Sequence, residues 1–310
     1  MPWLWIRLHA GIGHPVFLPA LILVGLLVGI VAGMFGVGGG FLLTPVLLYG
    51  FGVPPVIAVG SALSQQVGTS LASFLKYRAL RRGEPVIDVV MIGGSLIGMD
   101  AGGRLLRYLT GLPPLPLFGH RLVPLATLVI DALFSVILSV TAALIFREAW
   151  KARGQPGRGD LSIPGPLVTR VRFGPRIDLP NVGIRGVSVF LLAYIGFLLG
   201  FLSGVMGVGG GVLLMPVLMY GMGLSARNSA GTGILLLFVT VSFGTVQSAL
   251  HGNVSLPLAM TLLIGSSVGA QIGAMITYRL PNRVLRMAFA CLVALAAAAM
   301  LWNLARLVWA

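Results

Sequence analysis

Gly36-Val-Gly-Gly-Gly-Phe-Leu-Leu-Thr-Pro-Val-Leu-Leu-Tyr-Gly-Phe-Gly52 returns later in the same chain as Gly207-Val-Gly-Gly-Gly-Val-Leu-Leu-Met-Pro-Val-Leu-Met-Tyr-Gly-Met-Gly223. The two stretches agree at 13 of 17 positions and begin 171 residues apart (207 − 36). The same offset carries Gly25, Gly29 and Gly33 onto Gly196, Gly200 and Gly204. It also carries Gly60, Thr69, Gly94, Gly98 and Gly102 onto Gly231, Thr240, Gly265, Gly269 and Gly273. A register held over roughly 80 residues is a duplication. In each copy a glycine cluster ends one apolar run and opens another, with Pro45 or Pro216 just downstream. Matched Gly/Pro interruptions in duplicated apolar segments are the sequence mark of a binding site between two membrane repeats.

Composition points the same way. Of 310 residues, 57% are hydrophobic, and the 44 glycines add about 14% more, against about 45–50% on that combined count in soluble chains. Only 9% are charged, where soluble chains carry about 25%. Mean hydropathy is +1.00. A water-soluble globule cannot bury that much apolar surface, which excludes a soluble enzyme or binding module, a coiled coil, a disordered tail and a disulfide scaffold. Cys291 is alone, so no intramolecular disulfide or cysteine-based metal cluster forms; within its apolar run it reads as a small packing residue. The net charge of +14 points to cytoplasmic loops and anionic lipid headgroups first, and to an anionic substrate second. The basic residues flank apolar spans rather than forming a soluble basic domain, so nucleic acid is not an expected partner. Met1 to His14, with Trp3, Trp5, Arg7 and His9, lacks the layout of a cleavable signal and reads as an interfacial lead into the first span.

Apolar runs near 16–35, 55–77, 86–109, 122–146, 187–206, 226–250, 255–279 and 284–308 are each long enough to cross a bilayer. The pieces 40–51 and 211–222 reach only about half to two-thirds of the hydrocarbon thickness. The expected fold is therefore an all-α polytopic membrane protein. It has two homologous repeats, about eight spans, and two short re-entrant or broken helices after the Gly-rich motifs. The expected divisions are a first transmembrane repeat at 1–146, a basic cytoplasmic linker at 147–185 and a second repeat at 186–310. The linker holds Arg147, Lys151, Arg153, Arg158, Arg170, Arg172, Arg176 and Arg185 against Glu148, Asp160 and Asp178. The turn at Arg78, Arg81 and Arg82 is also basic and falls on the same side, two spans away. If the short pieces are re-entrant, each half crosses four times and the repeats are parallel; if they cross, each half has five passes and the repeats are inverted. Arg279, Arg283 and Arg286 favour inversion by the positive-inside rule, and the shortness of the pieces favours re-entrance, which is the reading taken forward.

Gly38, Gly39 and Gly40, with Gly209, Gly210 and Gly211, are the first candidate site residues. Breaking a helix frees backbone N–H groups that an anion can satisfy, assisted by the positive end of the next helix. The plainer alternative is tight helix crossing, the role expected of Gly29/Gly33 and Gly200/Gly204. Ser61, Gln65, Gln66 and Thr69 follow in the first half, with Asn228, Thr232 and Thr240 in the second. Amides and hydroxyls donate to anionic oxygens without burying a fixed charge, and they also make ordinary interhelical hydrogen bonds. Arg104 stands four residues after Asp100, as expected of an i,i+4 pair. Asp131 has no local partner and is the candidate for proton coupling. Lys76 and Arg78 are placed to snorkel, and Arg227 opens its span at the mouth. His9, His14, His120 and His251 are scattered near span ends, and no nucleotide loop, nucleophile elbow or His-Glu-x-x-His helix is present. No catalytic residue, metal site or cofactor is expected.

The paired Gly-Val-Gly-Gly-Gly motifs, each followed by Leu-Leu-x-Pro-Val-Leu, an aromatic residue and Gly, resemble the TauE/SafE family of membrane exporters. So do Ala-Val-Gly-Ser-Ala at 58–62 and Ser-Ala-Gly-Thr-Gly at 229–233. The likeness spans roughly 20–110 and 190–305; the long basic loop stands outside the family pattern. The resemblance implies a bacterial inner-membrane carrier of small sulfur-containing anions such as sulfite, sulfoacetate and other organosulfonates. Alternating access and proton coupling are the expected mechanism. An uncoupled anion channel, a carrier of small carboxylates and a non-transporting scaffold or lipid-binding protein are the rival readings. The implied partners are the small anionic substrate and a bilayer with anionic headgroups; self-association stays open.

Overall fold

The computed structural model describes residues 5–6, 16–79, 84–117, 121–151, 174–179 and 184–309. Expectations resting on Trp3, Arg7, His9, His14, Arg81, Arg82, His120 and the linker 152–173 lie outside the described residues, as does that on the side chain of Arg227. Helix α1 (Leu18–Phe35) has proline in its first turn and is closed by Gly36 in the left-handed conformation. After the glycine cluster, α2 (Gly40–Pro45) runs on through a π-helical turn, Val46–Gly50. Then come α3 (Pro55–Ala79), α4 (Pro85–Gly111) and α5 (Leu125–Lys151). The second half repeats the order with α6 (Val189–Met206), α7 (Gly211–Pro216) and its π-helical turn Val217–Gly221. It continues with α8 (Ala226–Gly231), α9 (Ile234–Leu250), α10 (Leu256–Arg279) and α11 (Asn282–Trp309).

All eight expected spans are helical. Seven of the described helical runs, with Asn228–Leu250 taken as one, are long and apolar enough to cross a membrane. The exception is α3, whose inner face carries Ser61, Gln65, Gln66, Thr69, Ser70 and Ser73, all buried. It is a polar helix enclosed by the others. The expected single span at 226–250 is broken. Ser225 caps α8, and Gly233, at φ 91°, starts α9 afresh. Cys291 is exposed on α11 rather than packed inside.

Two helix pairs dominate the packing, and each joins one half to the other. Cβ atoms built on Gly25, Gly29 and Gly33 would lie 2.0–2.3 Å from the carbonyl oxygens of Leu262, Ser266 and Ala270. Reciprocally, Gly265, Gly269 and Gly273 meet the carbonyls of Ile22, Leu26 and Ile30. The same weave binds α4 to α6, through Gly94, Gly98 and Gly102 against Ala193, Phe197 and Phe201. Small residues let the backbones touch where lipid offers no hydrophobic drive for association.

The order of these contacts fixes direction. Residue numbers rise together along α1 and α10, so the two run parallel. Ser61 meets Ser255 and Thr69 meets Ser266, so α3 runs with them. Helix α4 turns back after α3, and α6 runs parallel to α4. Helices α1 and α6, which start the two copies, therefore run in opposite directions. The chain returns between α1 and α3 through the glycine break and α2: Gly39 already lies against Val28 and Ala32 of α1. Each half thus has five passes and the repeats are inverted, correcting the re-entrant reading. The pass is completed by a break, a short helix and an extended tail, which helix length alone does not count.

The duplication reaches further than the sequence displays. A hairpin pairs Trp5 with Phe17 and Ile6 with Val16 ahead of α1. Another pairs Arg176 with Ser188 and Ile177 with Val187 ahead of α6, at the same offset of 171 (176 − 5). Leu179 and Val187 of the second hairpin are fully buried, in one cluster with Ile87 of α4 and Leu218.

Candidate functional site

The two glycine clusters meet at the centre. Gly36, Gly38, Gly39, Gly207, Gly209 and Gly210 all hold φ between 65° and 79°, a conformation that only glycine adopts freely. A Cβ on Gly40 would stand 2.3 Å from the Gly207 carbonyl oxygen, and one on Gly211 2.3 Å from that of Val37. The breaks cross in backbone contact.

Bending the chain this way leaves donors behind. The N–H groups of Gly36 and Val37 still reach Ala32, and that of Gly207 reaches Ser203. Those of Gly38, Gly39, Gly40, Gly209, Gly210 and Gly211 join no backbone hydrogen bond, and all six residues are buried. Buried N–H groups without an acceptor are rare and costly. Here they open the helical runs 40–50 and 211–221, whose positive ends face the same place.

Gln66 is wedged between the clusters. Its Nε2 donates to the carbonyl oxygens of Gly207 (2.7 Å) and Ala62 (3.1 Å), while its Oε1 has no partner. That oxygen lies 2.8 Å from a Cβ built on Gly38 and 2.3 Å from one on Gly209. On the second-half side a cavity of about 10 Å³ is lined by Ser95, Gly209, Gly210, Leu236, Leu237 and Thr240 among others. It has room for about one water. Under the offset of 171 these residues map onto Ser266, Gly38, Gly39, Gln65, Gln66 and Thr69. The hydrogen bonds map too: Ser95 with Thr240 at 2.8 Å, and Thr69 with Ser266 at 3.1 Å. The half-sites differ chiefly where Gln65-Gln66 faces Leu236-Leu237.

The structure thus brings together the six glycines, Gln65, Gln66, Thr69 and Thr240. Gln65 is turned to its own helix, donating to Thr69 Oγ1, with its Oε1 unpartnered. Ser61 and Thr232 instead tie helix starts: Ser61 accepts from the Ser255 N–H and Thr232 from the Glu84 N–H, both at 3.0 Å. Asn228 donates its backbone N–H to the Ser225 cap. Asp131 belongs to another contact, where it accepts from the Tyr49 hydroxyl between α5 and the first π-helical turn. Asp100 pairs with Arg104 at 2.8 Å, as the spacing expects, and also accepts from Gln247. Ser95 and Ser266 were missed, although the repeat register itself aligns the two serines. Among the described residues no three His, Cys, Asp or Glu side chains converge.

Inverted repeats, glycine-broken passes and unsatisfied donors at their crossing define a polytopic membrane protein built as a transporter. The chain belongs to the sulfite exporter TauE/SafE family, whose model matches residues 21–300. It is similar to the probable membrane transporter protein YjnA of Bacillus subtilis, at 27% identity over 274 residues, covering 88% of this chain and 96% of that one. YunE of the same organism is 24% identical, covering 86% and 91%. A probable membrane transporter protein of Xylella fastidiosa strain Temecula1 is 25% identical, covering 90% and 93%. No solved structure matches the chain. The protein is a multi-pass membrane transporter, not an enzyme.

Proposed function

We propose that the protein is a secondary transporter that exports small sulfur-containing anions, sulfite or an organosulfonate such as sulfoacetate, across a bacterial inner membrane. The observation that carries the anion is the set of six buried, unsatisfied N–H groups at the crossing of the two breaks. Oxyanion oxygens accept from such donors without requiring a buried counter-charge. Gln66, Gln65, Thr69 and Thr240 would add side-chain donors around the anion. Alternating access is supported by the inverted repeats. The glycine-laced pairs α1·α10 and α4·α6 would move as units, opening the crossing to one face and then the other.

The test is the thermal stability of the detergent-purified protein against sulfite, sulfate, thiosulfate, sulfoacetate, taurine, short carboxylates and chloride. A ligand that binds only the folded state, present at 100 times its Kd, stabilises by about 2.7 kcal/mol. Selective stabilisation by a sulfur oxyanion or sulfonate is the expected result. Stabilisation by carboxylates alone would replace the substrate class and leave the fold untouched.

A further inference from the structure

One part of the molecule departs from its own symmetry. Helix α3 is continuous, but its counterpart is broken between α8 and α9 at Gly233. Against that break the first half sets two acids where the second half has Ser255 and Ala259. Glu84, at the start of α4, and Asp88, one turn on, are 2% and 3% exposed. Asp88 accepts from the N–H groups of Gly233 and Leu235, capping α9 from across the interface. The Glu84 backbone N–H is held by Thr232, the last residue before the break. Neither side-chain oxygen of Glu84 has a partner, nor does Asp88 Oδ1. Among the described residues the one ion pair is Arg104–Asp100, far along α4.

A buried carboxylate with no donor is among the costliest groups a protein can hold, and a second carboxylate one turn away repels it. A proton resolves both costs. It neutralises a carboxyl and supplies the O–H that three bare oxygens lack. A metal ion fits less well: no third acidic, His or Cys ligand joins the pair, and α9 offers N–H donors, which repel a cation. The other titratable groups at this end are Lys76, Tyr77 and Arg78 of α3, Arg147 and Lys151 of α5, Arg176 and Asp178 of the hairpin, Tyr220, Arg227 on α8, and Tyr278, Arg279, Arg283 and Arg286 around the α10–α11 turn. Tyr77 is committed to the Gly33 carbonyl, and Asp178 to the Gly186 N–H.

We propose that Glu84 and Asp88 form a proton-binding site that sets the position of α9. Protonating the pair weakens the Asp88 cap and frees the broken start of α9. That helix carries Leu237 and Thr240 into the central site, so proton binding and anion binding share one moving element. Asp131 is served at one oxygen by the Tyr49 hydroxyl, with its Oδ2 unpartnered, and it belongs to that separate contact. The site stands on the structure alone; its coupling to transport rests on the function proposed above.

Infrared difference spectra between acid and alkaline pH, on the protein in lipid vesicles, test the site. The carbonyl stretch of a buried carboxylic acid should titrate in the wild type and in D131N and be lost in E84Q or D88N. An unchanged band in both of the latter variants overturns the site. The coupling is read from [35S]sulfite in proteoliposomes. With one proton per anion, a one-unit pH gradient sustains about a tenfold accumulation. E84Q should abolish that accumulation while sulfite exchange at equal pH persists. Retained accumulation in E84Q overturns the coupling role. Absence of any sulfite movement in the wild type overturns the proposed substrate instead, and leaves the infrared result standing.

Discussion

Gln66 and Leu237 occupy matching places in the two halves and face the same pair of glycines. One brings an amide and the other two methyl groups. Gln66→Leu therefore places in the first half a side chain that the second half already accommodates there. It leaves the Gly207 carbonyl without its 2.7 Å donor, at a cost of about 1–3 kcal/mol. The variant should fold with lowered thermal stability and lose the stabilisation by sulfur anions; a shift equal to that of the wild type would remove Gln66 from the site. Tyr49 and Asp131 make the complementary case. Asp131→Asn keeps an oxygen for the Tyr49 hydroxyl, whereas Tyr49→Phe strips the only recorded donor from a buried acid. Unfolding midpoints should fall further in Tyr49→Phe, by the equivalent of about 1–3 kcal/mol. The glutamines were legible because adjacent amides are conspicuous in an apolar span. Tyr49 as the partner of Asp131 was not, since 82 residues separate them and no local spacing links the two. Glu84 and Asp88 follow Arg81 and Arg82 in the sequence, and nothing in that local order shows that the fold buries them.

Helix α4 shows how element-level reading succeeds and where it stops. The four-residue spacing of Gly94, Gly98 and Gly102 announces a close helix crossing. It does not say which helix crosses, and the partner is α6 of the other half. Two glycines of this one helix give the contrast. A Cβ on Gly98 would stand 2.0 Å from the Phe197 carbonyl oxygen, while one on Gly93 meets nothing within 4 Å. Gly98→Ala must push α6 away and should cost about 1–3 kcal/mol. Gly93→Ala should be neutral or stabilising by about 0.5–1 kcal/mol, because it removes backbone freedom from the unfolded chain. Equal unfolding temperatures in the two variants would mean that the glycine lacing does not set the α4·α6 distance. The break between α8 and α9 escaped the sequence because Gly231, Thr232 and Gly233 lie inside an otherwise apolar run. Asp88, from the other half, meets the N–H groups of Gly233 and Leu235 where α9 begins.

At the scale of the whole molecule, the duplication was legible and its sense was not. Arg279, Arg283 and Arg286 argued for inversion, and the shortness of 40–51 and 211–222 argued against it. The length argument fails because the glycine break and the tail at 51–54 carry the chain for part of each return. Inversion makes a definite statement about charge. Lys76 and Arg78 at the end of α3, Arg147 and Lys151 at the end of α5, and the three arginines around the α10–α11 turn all gather at one end. Arg104, Arg107 and Arg306 lie toward the other. From the positive-inside rule we propose that the first end, and with it the linker, faces the cytoplasm, and that the starts of α1 and α10 face outside. Single cysteines in a Cys291→Ala background would read this out with a membrane-impermeant thiol reagent. Pro281→Cys and a cysteine at Ser162 in the linker should react together in inside-out vesicles. Gly252→Cys, in the α9–α10 turn, should react only in right-side-out ones. In a parallel arrangement of four crossings per half, Pro281→Cys would react on the face opposite the linker. That one label therefore separates the two topologies, and with them the mechanism. Inverted halves can exchange their conformations and so open the same central crossing toward either side of the membrane.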